Sequence, residues 1–176
     1  MGVLIWSMHI SRTVILPTMK KLTLALLLIF SCATAWAADF DKGLAAYNAG
    51  DYATALTEWK PLAEQGDAGA QYYLGLTYGK GEGVIEDYKE AVKWFRLAAE
   101  QGYAIAQGNL GVSYFSGKGV IQDNVYAHMW WNIAAASGDE KARGKKDTLV
   151  KRMTPQDISK AQDLARECVK KNYKDC

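Results

Sequence analysis

Residues 67–102 read DAGAQYYLGLTYGKGEGVIEDYKEAVKWFRLAAEQG, and residues 103–138 read YAIAQGNLGVSYFSGKGVIQDNVYAHMWWNIAAASG. The second 36-residue block follows the first without a gap, and the two are identical at 16 positions, among them Leu74 with Leu110 and Trp94 with Trp130. A fixed period of this length is typical of stacked repeats, in which each unit buries its apolar face against its neighbours. We therefore expect a repeat array, which presents a surface more often than a reaction centre.

Each block contains two stretches with the periodicity of an amphipathic helix. Apolar residues recur there at intervals of three and four positions, which places them on one helix face. In the first block these residues are Ala70, Leu74 and Tyr78, followed by Ala91, Trp94, Phe95 and Ala98. Residues 79–83 contain three glycines and would interrupt a continuous helix. Each block is therefore predicted to form a helix, a glycine-rich turn and a second helix, with Asp87 or Asp123 as the N-cap of the second helix.

Gly75 and Gly111 lie inside the first helix of each block. A glycine in a helix interior costs about 1 kcal/mol relative to alanine. This cost predicts that a partner helix passes too close for a β-carbon, and the alanines of the second helix, such as Ala91 and Ala98, are expected to supply the matching small surface.

The pattern Ala-x-x-x-Leu-Gly-x-x-Tyr, Gly-x-Gly-Val-x-x-Asp and Ala-x-x-Trp-aromatic-x-x-Ala-Ala-x-x-Gly occurs in both blocks and resembles the Sel1-like repeat, a relative of the tetratricopeptide repeat with a longer inter-helix loop. The resemblance implies an all-α fold, an α/α solenoid with a right-handed superhelix. It predicts a tetratricopeptide-like first helix pair over residues 38–66, repeats over 67–102 and 103–138, and a C-terminal capping helix pair with a tail over 139–176.

The N-terminal residues have the features of a secretory leader. Lys20 and Lys21 precede the apolar run Leu22 to Phe30, and Ala35-Trp36-Ala37 is a small-residue cleavage site. This order predicts a signal peptide over residues 19–37, cut after Ala37, and export to the periplasm or beyond the cell. The apolar run is shorter than the roughly 20 residues that cross a bilayer, so we expect no integral membrane span. Residues 1–18 fit no part of a signal peptide and are interpreted as an upstream start before Met19.

Lipidation is the alternative at this end of the chain. Ile29-Phe30-Ser31-Cys32 loosely resembles a lipoprotein box in which Cys32 would be acylated. Phe30 is larger than the small residue usual at its position, and the Ala-x-Ala site lies just downstream. The sequence favours cleavage over a lipoprotein anchor.

The charge balance argues against a nucleic-acid partner. The full chain has 21 Lys and Arg against 19 Asp and Glu, and removal of the leader takes Arg12, Lys20 and Lys21, leaving a net charge of −1. Nucleic-acid binding requires a basic surface that neutralises phosphates. The charge is unevenly placed, since residues 38–138 carry 7 basic and 12 acidic side chains and residues 139–176 carry 11 and 7. The basic C-terminal part could orient a partner or form an ordinary solvated helix surface.

Cys168 and Cys176 remain after cleavage and would form a disulfide in an oxidising compartment. If residues 168–176 were helical, their Cα atoms would lie about 12 Å apart, whereas a disulfide requires roughly 4.4–6.8 Å. The helix must therefore end before Cys176 if the bridge forms. Free thiols or an intermolecular bridge are the alternatives.

Catalytic and metal-binding motifs are weak in this sequence. His128 is the one histidine that follows the leader, and no Cys, Asp or Glu stands near it at ligand spacing, so we interpret it as a surface or interface residue. No motif pairs it with a serine as a catalytic base. Neither block has the cysteine pair of those Sel1-like proteins to which β-lactam hydrolysis has been attributed. We expect no cofactor, no metal and no enzymatic activity.

A binding surface remains the favoured interpretation. In related solenoids the first helix of each pair lines the concave face, and aromatic anchors on such a groove suit peptide or helix recognition. The residues predicted to contact a partner are Tyr47, Tyr72, Leu76, Val112 and Phe115. Packing of these side chains on adjacent repeats is the alternative. The sequence thus predicts a monomeric, exported adaptor or regulator that binds another protein; the other hypotheses are a periplasmic β-lactamase-like hydrolase and a secreted, host-directed effector.

Overall fold

The computed structural model describes residues 38–176. The predicted upstream start, signal peptide and cleavage site at Ala35–Ala37, as well as Cys32, lie outside the described residues. Eight α-helices and no strand occupy this part of the chain. They are α1 (Phe40–Asn48), α2 (Tyr52–Glu64), α3 (Ala68–Lys80), α4 (Tyr88–Ala99), α5 (Ala104–Ser116), α6 (Asn124–Ala136), α7 (Glu140–Val150) and α8 (Pro155–Lys170).

Consecutive helices pack against each other to form the array. The pairs α1 with α2, α3 with α4 and α5 with α6 make the most extensive contacts, and α2 with α3, α4 with α5 and α6 with α7 join one pair to the next. Because each helix contacts mainly its neighbours in the chain, the apolar faces predicted from the 36-residue period are buried between units. The predicted all-α, paired-helix fold is confirmed.

The first helix of each repeat ends at a glycine, and aspartates cap the start of two of the three equivalent helices α3, α5 and α7. Asp67 and Asp139 cap α3 and α7 by accepting one backbone N–H bond each, whereas Tyr103 begins α5 without a side-chain cap. Gly81 and Gly117 end α3 and α5 with φ angles of 70° and 69°. This left-handed conformation is readily available to glycine, and it turns the chain into the loop before the second helix of each repeat.

The interior glycines admit a close approach, as predicted, but to aromatic rings rather than alanines. A β-carbon at Gly75 would lie 2.5 Å from the Phe95 ring, and one at Gly111 would lie 2.5 Å from the Trp131 ring. The Trp131 indole also donates a 3.0 Å hydrogen bond to the carbonyl of Gly108. The expectation that alanines fill this contact is wrong, because a flat ring on the second helix lies directly over the glycine.

The core is divided between the repeats. Trp59, Leu74 and Trp94 form one buried cluster between the first helix pair and the first repeat. Leu110, Met129 and Trp130 belong to a second cluster, which joins the second repeat to Ala98 of the first repeat and Ala165 of α8. Each tryptophan therefore fills the gap between successive helix pairs, which explains why Trp94 and Trp130 recur at the repeat period.

The C-terminal segment continues the array with one helix and then departs from it. Glu140 at the start of α7 comes 36 residues after Ala104 at the start of α5, so α7 takes the place of the first helix of a third repeat. The last helix, α8, returns to pack on α6 through Ala165 and Cys168, which join the cluster that contains Ile133. The predicted terminal helices are thus present, and each of them contacts α6.

A disulfide links the C-terminal tail to α8. Cys168 and Cys176 form a disulfide with Cα atoms 5.5 Å apart, because α8 ends at Lys170 and Asn172, Tyr173 and Asp175 adopt left-handed backbone angles. The Tyr173 ring then lies against Gly102 at the end of the first repeat. None of the helices within residues 38–176 is long and apolar enough to cross a membrane.

Candidate binding surface

The first helices of successive units, α3, α5 and α7, form a common surface that we call the first-helix face. Two hollows lie in it, one between α3 and α5 and one between α5 and α7. Val112 on α5 lines both hollows, so they lie on the two flanks of the same helix.

The hollow between α5 and α7, here the second pocket, is the larger. Its volume is about 530 Å³. Its apolar lining comes from Val112, Phe115, Trp131 and Leu149, and α7 with the residues after it adds Lys141, Gly144, Lys145, Thr148 and Arg152. The Phe115 and Trp131 rings contact each other with centroids 5.5 Å apart. The pocket therefore combines an apolar floor with a basic rim.

The hollow between α3 and α5, here the first pocket, measures about 150 Å³. Leu76 and Phe95 line it on the apolar side, and Asn109 and Ser113 of α5 line it on the polar side. The side chain of Lys118 closes its edge by donating a 2.9 Å hydrogen bond to the Tyr88 hydroxyl and lying 4.4 Å from that ring's centroid. This hydrogen bond raises the pKa of Lys118, so the ammonium stays charged.

The two pockets are the same structural position in successive units. A shift of 36 residues carries Leu76 to Val112, Gly79 to Phe115 and Phe95 to Trp131. The same shift carries the α5 lining of the first pocket to the α7 lining of the second: Asn109 to Lys145, Ser113 to Leu149 and Ser116 to Arg152. The repeat therefore fixes where a pocket forms, and the helix that follows it fixes the pocket's chemistry.

The five residues predicted to contact a partner fall into two groups. Leu76, Val112 and Phe115 line the two pockets and are partly exposed. Tyr47 and Tyr72 are instead engaged in packing within the chain, as the alternative interpretation had it. Their role in binding stays a prediction.

Tyr47 and Tyr72 have different neighbours. The Tyr47 ring lies 5.5 Å from that of Trp59, and its hydroxyl donates a 2.7 Å hydrogen bond to Glu82. The Tyr72 ring lies within 5.5 Å of the Tyr73 and Tyr103 rings, and burial raises its pKa. Tyr73, whose counterpart in the second repeat is Asn109, also packs within the chain, since its ring stacks on that of Trp59 with centroids 4.5 Å apart.

His128 lies inside the protein rather than on its surface. The residue is 2% exposed, and its Nδ1 has no hydrogen-bond partner within residues 38–176. Burial lowers its pKa, and the nearby positive charge of Lys146 on α7 adds to that effect. Val92, which stands at this place in the first repeat, is also buried, so His128 occupies an apolar helix-packing position. The described part of the chain holds no cluster of His, Cys, Asp and Glu able to bind a metal ion.

The Sel1 repeat matches residues 68–103 and 104–139, one position beyond the boundaries predicted from the sequence. The chain is a Sel1 repeat protein. The match ends where α7 begins, so the family pattern covers the two full repeats and leaves the first helix pair and the C-terminal helices outside.

Two solved structures of Sel1 repeat proteins resemble this one. The protein c5321 of uropathogenic Escherichia coli, a protective antigen with this fold, is 28% identical over 80% of this chain and 31% of its own, with a TM-score of 0.71. A Sel1 repeat protein of Oxalobacter formigenes is 37% identical over 63% of this chain and 46% of its own, with a TM-score of 0.61. This chain thus spans less than half the length of either relative. No curated protein matches it.

The α7 half of the second pocket is absent from the binding residues predicted from the sequence. Residues 139–152 were interpreted as the start of a cap, although the signal that identifies them was present: Asp139 and Ala142 stand one period after Tyr103 and Ala106. Extending the 36-residue register by half a unit would have predicted Lys145, Leu149 and Arg152 as surface positions beside Phe115. Ala142 and Gly144 repeat Ala106 and Gly108, whereas the other pocket-lining residues of this segment differ from their counterparts in α5, so the spacing and these two identities carry the information.

Proposed function

We propose that this Sel1 repeat protein is an exported scaffold that binds a segment of a partner protein on its first-helix face. The supporting observation is the pair of pockets on either side of α5, which leave Leu76, Val112 and Phe115 partly exposed on a face built from rigid helices. A preformed groove with apolar anchor sites lowers the ordering cost of binding a peptide or helix. Binding rather than catalysis is the activity that this arrangement supports best.

Export to the periplasm is the second element of the proposal. The Cys168–Cys176 disulfide requires an oxidising compartment to persist, and the periplasm provides one. Cell fractionation tests this point: the protein should appear in the osmotic-shock fraction. Recovery from the culture supernatant instead would favour a host-directed effector, and recovery only from the cytoplasm would contradict export.

In-cell photocrosslinking tests the binding surface. A photoreactive phenylalanine placed at Ser116 or Thr148 on the first-helix face should capture one and the same protein, because both positions are exposed and border the pockets. The same residue at Gln162, exposed on α8 and remote from both pockets, serves as the control. Equal capture from Gln162, or none from the other two positions, would contradict the proposed face.

The hydrolase hypothesis is tested separately. Purified protein is incubated with a chromogenic β-lactam, and the proposal expects no turnover above background. Turnover that is lost on substitution of Ser113 or Ser116 would contradict the scaffold proposal and favour the hydrolase hypothesis.

A further inference from the structure

The second pocket has a chemical character that narrows the kind of segment it can hold. Its floor includes Trp131 and Leu149, which are 3% and 2% exposed. Those two side chains are fixed by the core, so the floor of this hollow, whose volume is about 530 Å³, is rigid. A space of this size and polarity accepts a leucine or an aromatic side chain.

The rim of the same pocket is positive and not neutralised. Lys141, Lys145 and Arg152 line it, and none of them has a carboxylate within 4.0 Å in the described part of the chain. Other basic side chains of α7 are paired, Arg143 with Glu140 at 3.3 Å and Lys146 with Asp147 at 3.7 Å. Lys141 and Lys145 lie four positions apart on one helix face and repel each other, and an incoming carboxylate would remove that repulsion.

Gly144 provides an independent observation at this rim. Gly75, Gly108 and Gly111 each lack a β-carbon because another side chain lies less than 3.0 Å from its position. A β-carbon at Gly144, by contrast, would have no heavy atom within 4 Å, although the residue lies inside α7 and beside the pocket. Glycine is favoured where a ligand or another backbone approaches closely, and the structure shows no such neighbour within the chain.

We propose that the second pocket binds one apolar side chain of an acidic segment of the partner protein, whose carboxylates pair with Lys141, Lys145 and Arg152 while its backbone crosses α7 at Gly144. This inference rests on the proposed function and specifies the partner's chemistry. The occupant is a polypeptide because the two pockets flank α5 and share Val112. A segment that leaves the second pocket along the face meets the first, which offers it another anchor site about one helix diameter, or 10 Å, away.

Selection from random 12-residue peptides tests the proposal with the purified full chain, its disulfide formed. Peptides that bind should be enriched in Asp and Glu around one Leu, Phe or Trp. Their affinity, measured by fluorescence anisotropy, should fall as salt is raised, because exposed charge pairs are screened. Enrichment of neutral or basic peptides, or of none at concentrations up to about 1 mM, would overturn the proposal.

Two variants locate the selected peptide on the protein. Lys145→Glu should weaken binding about tenfold, because it replaces an attraction by a repulsion. Lys160→Glu is the matched control, since Lys160 is exposed on α8 and lines neither pocket; it changes the net charge equally and should change the affinity less than twofold. Equal losses in both variants would show a general charge effect and overturn the site.

Gly144→Gln separates binding from folding. Glutamine is the better helix former, so this variant should unfold at a higher temperature than the parent. Its side chain should at the same time weaken peptide binding about tenfold, by occupying the space where the peptide backbone passes. Unchanged affinity in Gly144→Gln would overturn the predicted path across α7.

Other occupants would give different results. Analytical ultracentrifugation would detect a dimer, and a dimer that is lost in Lys145→Glu would assign the rim to a second copy of this chain. Decanoate would assign the pocket to apolar small molecules if it displaces the peptide and still binds to Lys145→Glu.

In-cell crosslinking distinguishes a failure of this proposal from a failure of the proposed function. Capture from Ser116 that persists in both pocket variants leaves the scaffold function intact and overturns the pocket, whereas no capture from the first-helix face overturns the function itself.

Discussion

The first and second repeats share a backbone plan and differ in the pocket that each presents. In both, a ring on the second helix covers a glycine on the first, Phe95 over Gly75 and Trp131 over Gly111. The first pocket is narrowed by Lys118, which binds the Tyr88 hydroxyl. The equivalent positions of the second repeat are Thr154 and Asn124, and neither residue lines the second pocket.

This difference shows where a repeat protein can acquire an individual site. Residues inside the repeats must satisfy packing on both sides, and the two blocks share 16 positions. The last repeat faces α7, which has only one neighbouring repeat to pack against and can therefore carry Lys141, Lys145 and Arg152 on its free side. The site proposed for an acidic segment therefore lies at the end of the array.

The largest expected effect tests whether the two ring-over-glycine contacts are equivalent. Trp131→Ala should lower the free energy of unfolding by about 3–5 kcal/mol, since it removes a buried ring and its hydrogen bond to Gly108. Phe95→Ala is the matched variant in the first repeat, and its loss in the free energy of unfolding should lie in the same range. Urea denaturation followed by circular dichroism measures both, and a loss below about 1 kcal/mol for either one would break the equivalence.

The disulfide is expected to stabilise the side of the second repeat that α8 covers. Cys168 and Cys176 are eight positions apart, so replacing both by serine should lower stability by about 2.5 kcal/mol on the chain-entropy estimate. Thermal unfolding with and without a reductant measures the effect. The serine variant should be insensitive to the reductant, and a parent protein equally insensitive would contradict a stabilising bridge.

The pH dependence of stability tests the difference between His128 and its counterpart in the first repeat, Val92. Its pKa is lowered by burial, so the unfolded chain takes up a proton more readily than the folded one below the ordinary value of 6.5. Stability is therefore full above pH 6.5 and falls as the pH drops below it, by at most about 1.4 kcal/mol per pH unit. His128→Val, which restores the residue of the first repeat, should remove this dependence in urea titrations between pH 7.5 and pH 5. An identical pH profile in the variant would contradict the assignment.

The smallest expected effect distinguishes two glycines at the same repeat position. Gly144→Ala should raise stability by about 0.5–1 kcal/mol, because the added methyl group meets no neighbour and alanine favours the helix. Gly108→Ala should lower it, since its β-carbon would lie 2.6 Å from an Asp139 carboxylate oxygen. Differential scanning calorimetry would measure the two shifts in melting temperature. Shifts of the same sign would contradict the predicted difference between the open space at Gly144 and the close contact at Gly108.

The sequence by itself determined the features that arise from local spacing. The two helices per repeat and the glycine turns follow from the spacing of residues within one block. The 36-residue period follows from the recurrence of the same residues in the second block, and the need for a close approach follows from the glycines inside the first helices, Gly75 and Gly111. The spacing of Cys168 and Cys176 likewise required the last helix to stop early, as it does at Lys170. The helices, the turns and the early helix end could be predicted because each depends on backbone geometry over one or two helical turns, and the period could be predicted because the same residues recur at a fixed spacing.

Only the tertiary structure decided which side chains share a surface. The second pocket joins Val112, Trp131 and Lys145, which come from three helices and lie up to 33 positions apart. The same packing buries His128, holds Tyr47 and Tyr72 against other rings, and leaves Gly144 without a neighbour. Periodicity assigns a residue to one face of its own helix, whereas contact depends on how neighbouring helices are placed against that face.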